Sequence, residues 1–67
     1  MEFKLKGEYI KLGQLLKAVG IISNGSEAKE ILLKEEIYVN NEIENKRGKK
    51  LKIGDIIKYK NKEIKII

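Results

Sequence analysis

The chain contains no cysteine, histidine, tryptophan or proline. Without Cys there is no disulfide framework, no thiolate nucleophile and no zinc finger. Without His there is no imidazole base and no imidazole metal ligand. Apolar runs never exceed three residues, as at Ile31–Leu33 and Ile37–Val39, so no segment reads as a membrane-spanning helix. The opening segment Met1–Tyr9 lacks the apolar core of a secretion signal. An intracellular, cytoplasmic protein is therefore expected. The only aromatics are Phe3, Tyr9, Tyr38 and Tyr59, and no two are neighbours in the chain. Stacking platforms of the kind single-strand binders use are not expected from them.

What remains is apolar or charged. The 67 residues are 42% hydrophobic and 37% charged, a balance that favours folding over disorder. This length allows one domain, residues 1–67, with a thin core and no room for a deep active site. Fifteen Lys and Arg against ten Asp and Glu give a net charge of +5. Residues 34–67 hold ten of the basic and six of the acidic side chains. The run Lys46-Arg47-Gly48-Lys49-Lys50-Leu51-Lys52 carries five cations and no anion. Concentrated positive charge points to a polyanionic partner.

Hydrophobic spacing sets the element order. Phe3–Lys6 alternates apolar and basic residues, as a half-buried strand does. Leu12, Leu15, Leu16 and Val19 lie on one face of a short helix that ends at Gly20. Lys11 is a poor N-cap for it. Asn24 and Glu27 have capping-box spacing, so a second helix is expected over about Gly25 to Glu35, with Ala28, Ile31 and Leu32 facing inward, Glu35 beside them and Leu33 flanking. The period then changes to two. Ile37 and Val39 face one way, and Asn40-Asn41 suits a two-residue hairpin turn. Glu42–Glu44 resumes a strand, Leu51 and Ile53 alternate, and Gly54-Asp55 turns. Ile57 and Tyr59 share a face, Asn61-Lys62 turns, and Ile64 and Ile66 close the sheet. The expected fold is α+β, with two short helices packed on a small antiparallel sheet of about four to five strands. Glu63–Ile67 is expected at its edge, free to pair with a second copy, although a monomer suffices.

Three features could carry binding. Lys46, Arg47, Lys49 and Lys50 can each approach a phosphate and release counterions. A Lys-rich strand can also serve only to protect a sheet edge, but dispersed lysines would do that equally well. Ser23, Asn24, Gly25, Ser26 and Lys29 start a helix, where free backbone N–H groups and the positive dipole end attract anions. By itself that segment reads as ordinary capping. Lys11, Gln14 and Lys17 occupy the polar side of the first helix and read as a solvated face unless the fold adds to them. Neither helix has a membrane anchor beyond its core face. No carboxylate cluster or nucleophile supports catalysis. Neither an enzymatic activity, a cofactor, a metal nor a small-molecule substrate is expected.

The order of these features resembles the S4-like RNA-binding domain, also called the alpha-L RNA-binding motif. In its first helix that family has a basic residue, Leu and Asp; this chain has Lys11-Leu12-Gly13. The family's Ser-Arg-Ser-Glu-Ala-Arg corresponds to Ser23-Asn24-Gly25-Ser26-Glu27-Ala28-Lys29, with the Arg replaced and one residue added. Its Val-Asn-Gly turn corresponds to Val39-Asn40-Asn41, and its Gly-Asp-hydrophobic step to Gly54-Asp55-Ile56. The short stand-alone bacterial members also carry an Arg-Gly-Lys/Arg-Lys segment, here Arg47-Gly48-Lys49-Lys50. The resemblance implies that two helices and the following hairpin form one face that grips structured RNA, ribosomal RNA or tRNA, with the ribosome as a candidate partner. It would place Lys11, Ser26, Lys29 and the basic cluster on that face. A DNA-binding or replication-associated accessory and a protein-interaction adaptor are the alternatives. No helix places base-reading residues for a major groove, which favours RNA over DNA.

Overall fold

A computed structural model describes residues 1–67. Its elements are β1 (Glu2–Phe3), β2 (Ile10–Lys11), α1 (Leu12–Ala18), α2 (Ser26–Lys34), β3 (Ile37–Val39), β4 (Glu42–Ile43), β5 (Lys50–Leu51), β6 (Ile56–Tyr59) and β7 (Lys62–Ile66). The architecture is α+β, as expected. Five strands form one sheet in the order β1-β7-β6-β3-β4, and β2 pairs with β5 in a separate two-stranded ribbon.

The helices form where the apolar spacing places them. α1 buries Leu12, Leu15 and Leu16 completely. It stops at Gly20, whose φ of +82° only glycine adopts at little cost, and this lets the Ile21 N–H reach the Leu16 carbonyl at 2.9 Å. α2 is a residue shorter at each end than expected. It buries Ala28 and Leu32, with Ile31 half-buried. Glu35 lies outside the inner stripe because it has already turned extended, with ψ 151°. Leu33 is 72% exposed.

The sheet corrects five expectations. It is not wholly antiparallel, because β1 runs parallel to β7. The N-terminal strand is Glu2–Phe3 and not Phe3–Lys6, although the Leu5 N–H still bonds the Ile67 carbonyl at 2.8 Å. β7 lies between β6 and β1, so Glu63–Ile67 is interior and has no free edge. Alternation marks which face a side chain takes, but it does not name the strand's neighbour or direction. Ile53 is 67% exposed while Leu51 is fully buried, because the chain leaves β5 for a turn before a second inward position. The last turn is Lys60-Asn61, with Lys60 at φ +55° and Tyr59 opposite Lys62. The Asn40-Asn41 turn has both residues at positive φ, +51° and +71°, as the favoured two-residue hairpin requires.

Twelve buried residues, all apolar, fill the space between the helices and one face of the sheet. Leu51 belongs to this core while its neighbours Lys50 and Lys52 are exposed. Its burial therefore pins the basic segment to the body of the protein. Leu51→Ala should cost about 2–5 kcal/mol. The whole fold is worth roughly 3–10 kcal/mol at this length, so urea titration should show a large loss of midpoint.

Candidate nucleic-acid interface

The first turn of α1 has no side-chain hydrogen bond from its N-cap residue, yet its first two backbone donors are met. The Leu12 N–H donates to the Lys49 carbonyl at 2.8 Å and the Gly13 N–H to the Arg47 carbonyl at 2.9 Å. The Lys11 N–H donates to Gln14 Oε1 at 3.1 Å, which supplies half of a capping box. The main chain of the basic segment thus caps the helix, and its side chains face solvent. A tight turn closes the segment, with Lys49 N–H on the Lys46 carbonyl at 3.1 Å. The ribbon then sets Lys11 directly opposite Lys50.

Gly13 is where three segments meet. A Cβ on it would lie 3.3 Å from Arg47 Cβ and 3.4 Å from Ala28 Cβ. The close approach of α1, α2 and the basic loop uses this missing side chain. Lys29 follows Ala28 directly and is exposed, as are Lys11, Gln14, Lys46, Arg47, Lys49 and Lys50. The fold therefore brings Lys11 and Gln14 of the first-helix feature beside the basic segment, with Lys29 next to the Ala28 that packs there, while nothing joins Lys17 to them. None of these cations has a carboxylate within ion-pair distance. The only ion pair is Lys34–Glu30 at 2.8 Å on the exposed face of α2. There Lys34 holds the Glu30 carboxyl below its usual range and Glu30 holds the Lys34 ammonium above its own. The pair's small contribution is present at neutral pH and is lost in acid as Glu30 protonates. On the far side, the Tyr38 hydroxyl donates to Glu36 at 2.7 Å, which raises the phenol's pKa.

The start of α2 is built differently from the anion site considered above. Asn24 Oδ1 accepts from the Ser26 N–H at 3.1 Å, the Ser26 hydroxyl at 2.6 Å and the Glu27 N–H at 3.2 Å. Glu27 Oε1 accepts in turn from the Ser23 and Asn24 N–H groups at 3.1 and 3.2 Å. The donors at Ser23, Asn24 and Ser26 are occupied, and a carboxylate stands where an incoming phosphate would sit. Gly25 has open space around it and makes no side-chain cap. The capping box is real, and the Lys29 ammonium and the Gly25 N–H are the groups of this segment without a partner.

Sequence reading missed Tyr9. It precedes β2, is 41% exposed, and has Lys50 Nζ 4.8 Å from its ring centroid. Only the β2–β5 pairing brings the two together, and two-residue strands leave no periodic signal.

Residues 3–67 match the S4 domain family, and the chain belongs to it. The chain is also similar to a Bacillus subtilis (strain 168) protein named "Probable ribosome maturation protein RlbA". The two are 46% identical over 50 residues, which covers 75% of this chain and 70% of that protein.

Two stability measurements test this geometry. Asn24→Ala should lose about 1 kcal/mol, the usual cost of an N-cap, while Asn24→Asp keeps it. Lys11 is a cation at the positive end of α1 and opposite another cation, both unfavourable. Lys11→Glu should therefore raise stability by roughly 0.3–1 kcal/mol at low salt, an effect that shrinks as salt is added.

Proposed function

We propose that residues 1–67 act as one non-enzymatic RNA-binding domain of the cytoplasm, gripping structured RNA through its phosphates. Ribosomal RNA is the first candidate and tRNA the second, and the role is in ribosome assembly or translation. The observation that carries this reading is the set of exposed, unpaired cations on β2, α2 and the β4–β5 segment, where Lys11 lies opposite Lys50 and Arg47 packs beside Gly13 and Ala28. The similarity to a protein named for ribosome maturation supports the ribosomal setting.

Lys11, at the end of β2 just before α1, and Lys29, on α2, would hold fixed phosphate positions. Lys46, Arg47, Lys49 and Lys50 would follow the backbone of the RNA beside them. Arg47 has a planar fork that can bind one phosphate bidentately or a guanine edge. About five phosphates neutralised give a log–log salt slope of about −3 to −5. Gln14 lies among the cations, but its side-chain oxygen is committed to the Lys11 N–H.

The test is filter binding of a structured ribosomal RNA fragment and a DNA duplex of equal length at fixed salt. The RNA should bind more tightly. An Arg47→Glu, Lys49→Glu double variant should lose RNA binding while its circular dichroism stays that of the parent. Unchanged affinity in the double variant would overturn the site. Preference for the duplex would make the protein a DNA binder. Retention on ribosomes after nuclease treatment, with little salt dependence, would make it a protein adaptor.

A further inference from the structure

Beside the cationic face lies a cleft of about 430 Å³ between the N-terminal segment and α1. That volume falls within the usual range of small-ligand sites, ~300–1,000 Å³. Phe3, Leu5 and Ile10, all half-buried, form its apolar wall, and Tyr9 adds an exposed aromatic ring. Phe3 and Tyr9 are six positions apart in the chain, yet the fold sets them on one cleft. Lys4 and Lys6 are the charged residues of the lining, and no acid is among them; Glu2 and Glu8 lie outside it. Gln14 supplies the one amide. Its Oε1 already accepts the Lys11 N–H, so its Nε2 hydrogens remain as donors.

We propose that this cleft receives one unpaired nucleotide of the RNA held by the neighbouring face, its base stacked on Tyr9 and its phosphates met by Lys4 and Lys6. The inference rests on the RNA-binding reading above and adds a preference for RNA with a bulged or unpaired nucleotide next to a helical stem. Three observations carry it. Apolar and aromatic walls with one amide donor suit a flat base with polar edges. Cations at the rim, with no acid in the lining, suit the attached phosphates. The cleft is also continuous with the cationic face, because Gln14 belongs to both and Lys50 bridges them through its contact with the Tyr9 ring. A single ammonium covers only one face of that ring. Stacking tolerates any base, so the preference is for an unpaired nucleotide and not for one letter.

The experiment uses a blunt RNA hairpin and the same hairpin with a one-nucleotide bulge, at one salt concentration. The parent protein should bind the bulged hairpin more tightly, by roughly 5- to 150-fold, the value of one stacked base. Tyr9→Ala should fall to the affinity of the blunt hairpin on both probes, while Tyr9→Phe keeps the preference. Equal binding of the two hairpins by the parent protein, or an equal loss on both in Tyr9→Ala, overturns the inference and leaves the RNA-binding reading standing. If the folded parent protein binds neither hairpin, the RNA-binding reading itself fails, and the inference with it. A test that needs no variant is photocrosslinking a 5-iodouridine bulge to the parent protein. An adduct on Tyr9 or Phe3 supports the inference, and an adduct confined to Lys46–Lys50 overturns it.

Discussion

The structure depends on how the first helix begins. An α-helix leaves its first N–H groups without partners, and α1 opens with no Ser, Thr, Asp or Asn to serve them. Two of those donors are met by the Arg47 and Lys49 carbonyls. This ties the basic segment to a helix more than thirty positions earlier in the chain. It also decides where the charge goes. A main chain turned inward to cap a helix must turn its side chains outward, so Lys46, Arg47 and Lys49 face solvent as a consequence of the capping. Carbonyl dipoles at the positive helix end also offset part of the repulsion that the nearby cations create.

Stability and charge are separated in this molecule. The core is twelve apolar side chains, with no buried side-chain polar atom left unpartnered. The hydrophobic faces of both helices and one face of the sheet are spent on it. Everything ionic is at the surface, and only Glu30 and Lys34 are paired there. Lys11 sits in a place that electrostatics disfavours twice, at a helix start and across from Lys50. Folding alone would favour an acid at that position. A cation there is reasonable where a polyanion neutralises it, which connects the local cost to the proposed partner.

Local features were legible in the sequence and distant ones were not. The faces of α1 and α2, the Asn24–Glu27 box and the Asn40-Asn41 turn follow from residues within four positions of each other, and they formed as read except at Glu35. The parallel entry of β1, the interior place of β7 and the β2–β5 ribbon join residues far apart in the chain, and alternation does not encode partners. The candidate site divides the same way. The cluster Lys46–Lys50 stood out by composition, and its junction with Lys11 and Lys29 was implied by the family resemblance. Tyr9 was invisible because its neighbour Lys50 is 41 positions away. The spacing that marks Asn24 and Glu27 as a cap is also what fills the start of α2 with a carboxylate, so the two readings of that segment exclude each other.

Gly13 shows why a departure from the family pattern is compatible with its geometry. The family's Asp at this position is replaced by a residue with no side chain, and the space it leaves is closed by Arg47 Cβ and Ala28 Cβ at contact distance. The loop can then lie against both helices at once, held by two backbone hydrogen bonds, with Leu51 anchored in the core just beyond. Backbone ordering is a large part of what binding costs a mobile loop. Here the loop's main chain is already held by those bonds, so under the proposed function a phosphate at Arg47 or Lys49 would need to immobilise only their side chains. The close contact at Gly13 thus sets the Arg47 backbone beside the start of α2, where Ala28 packs.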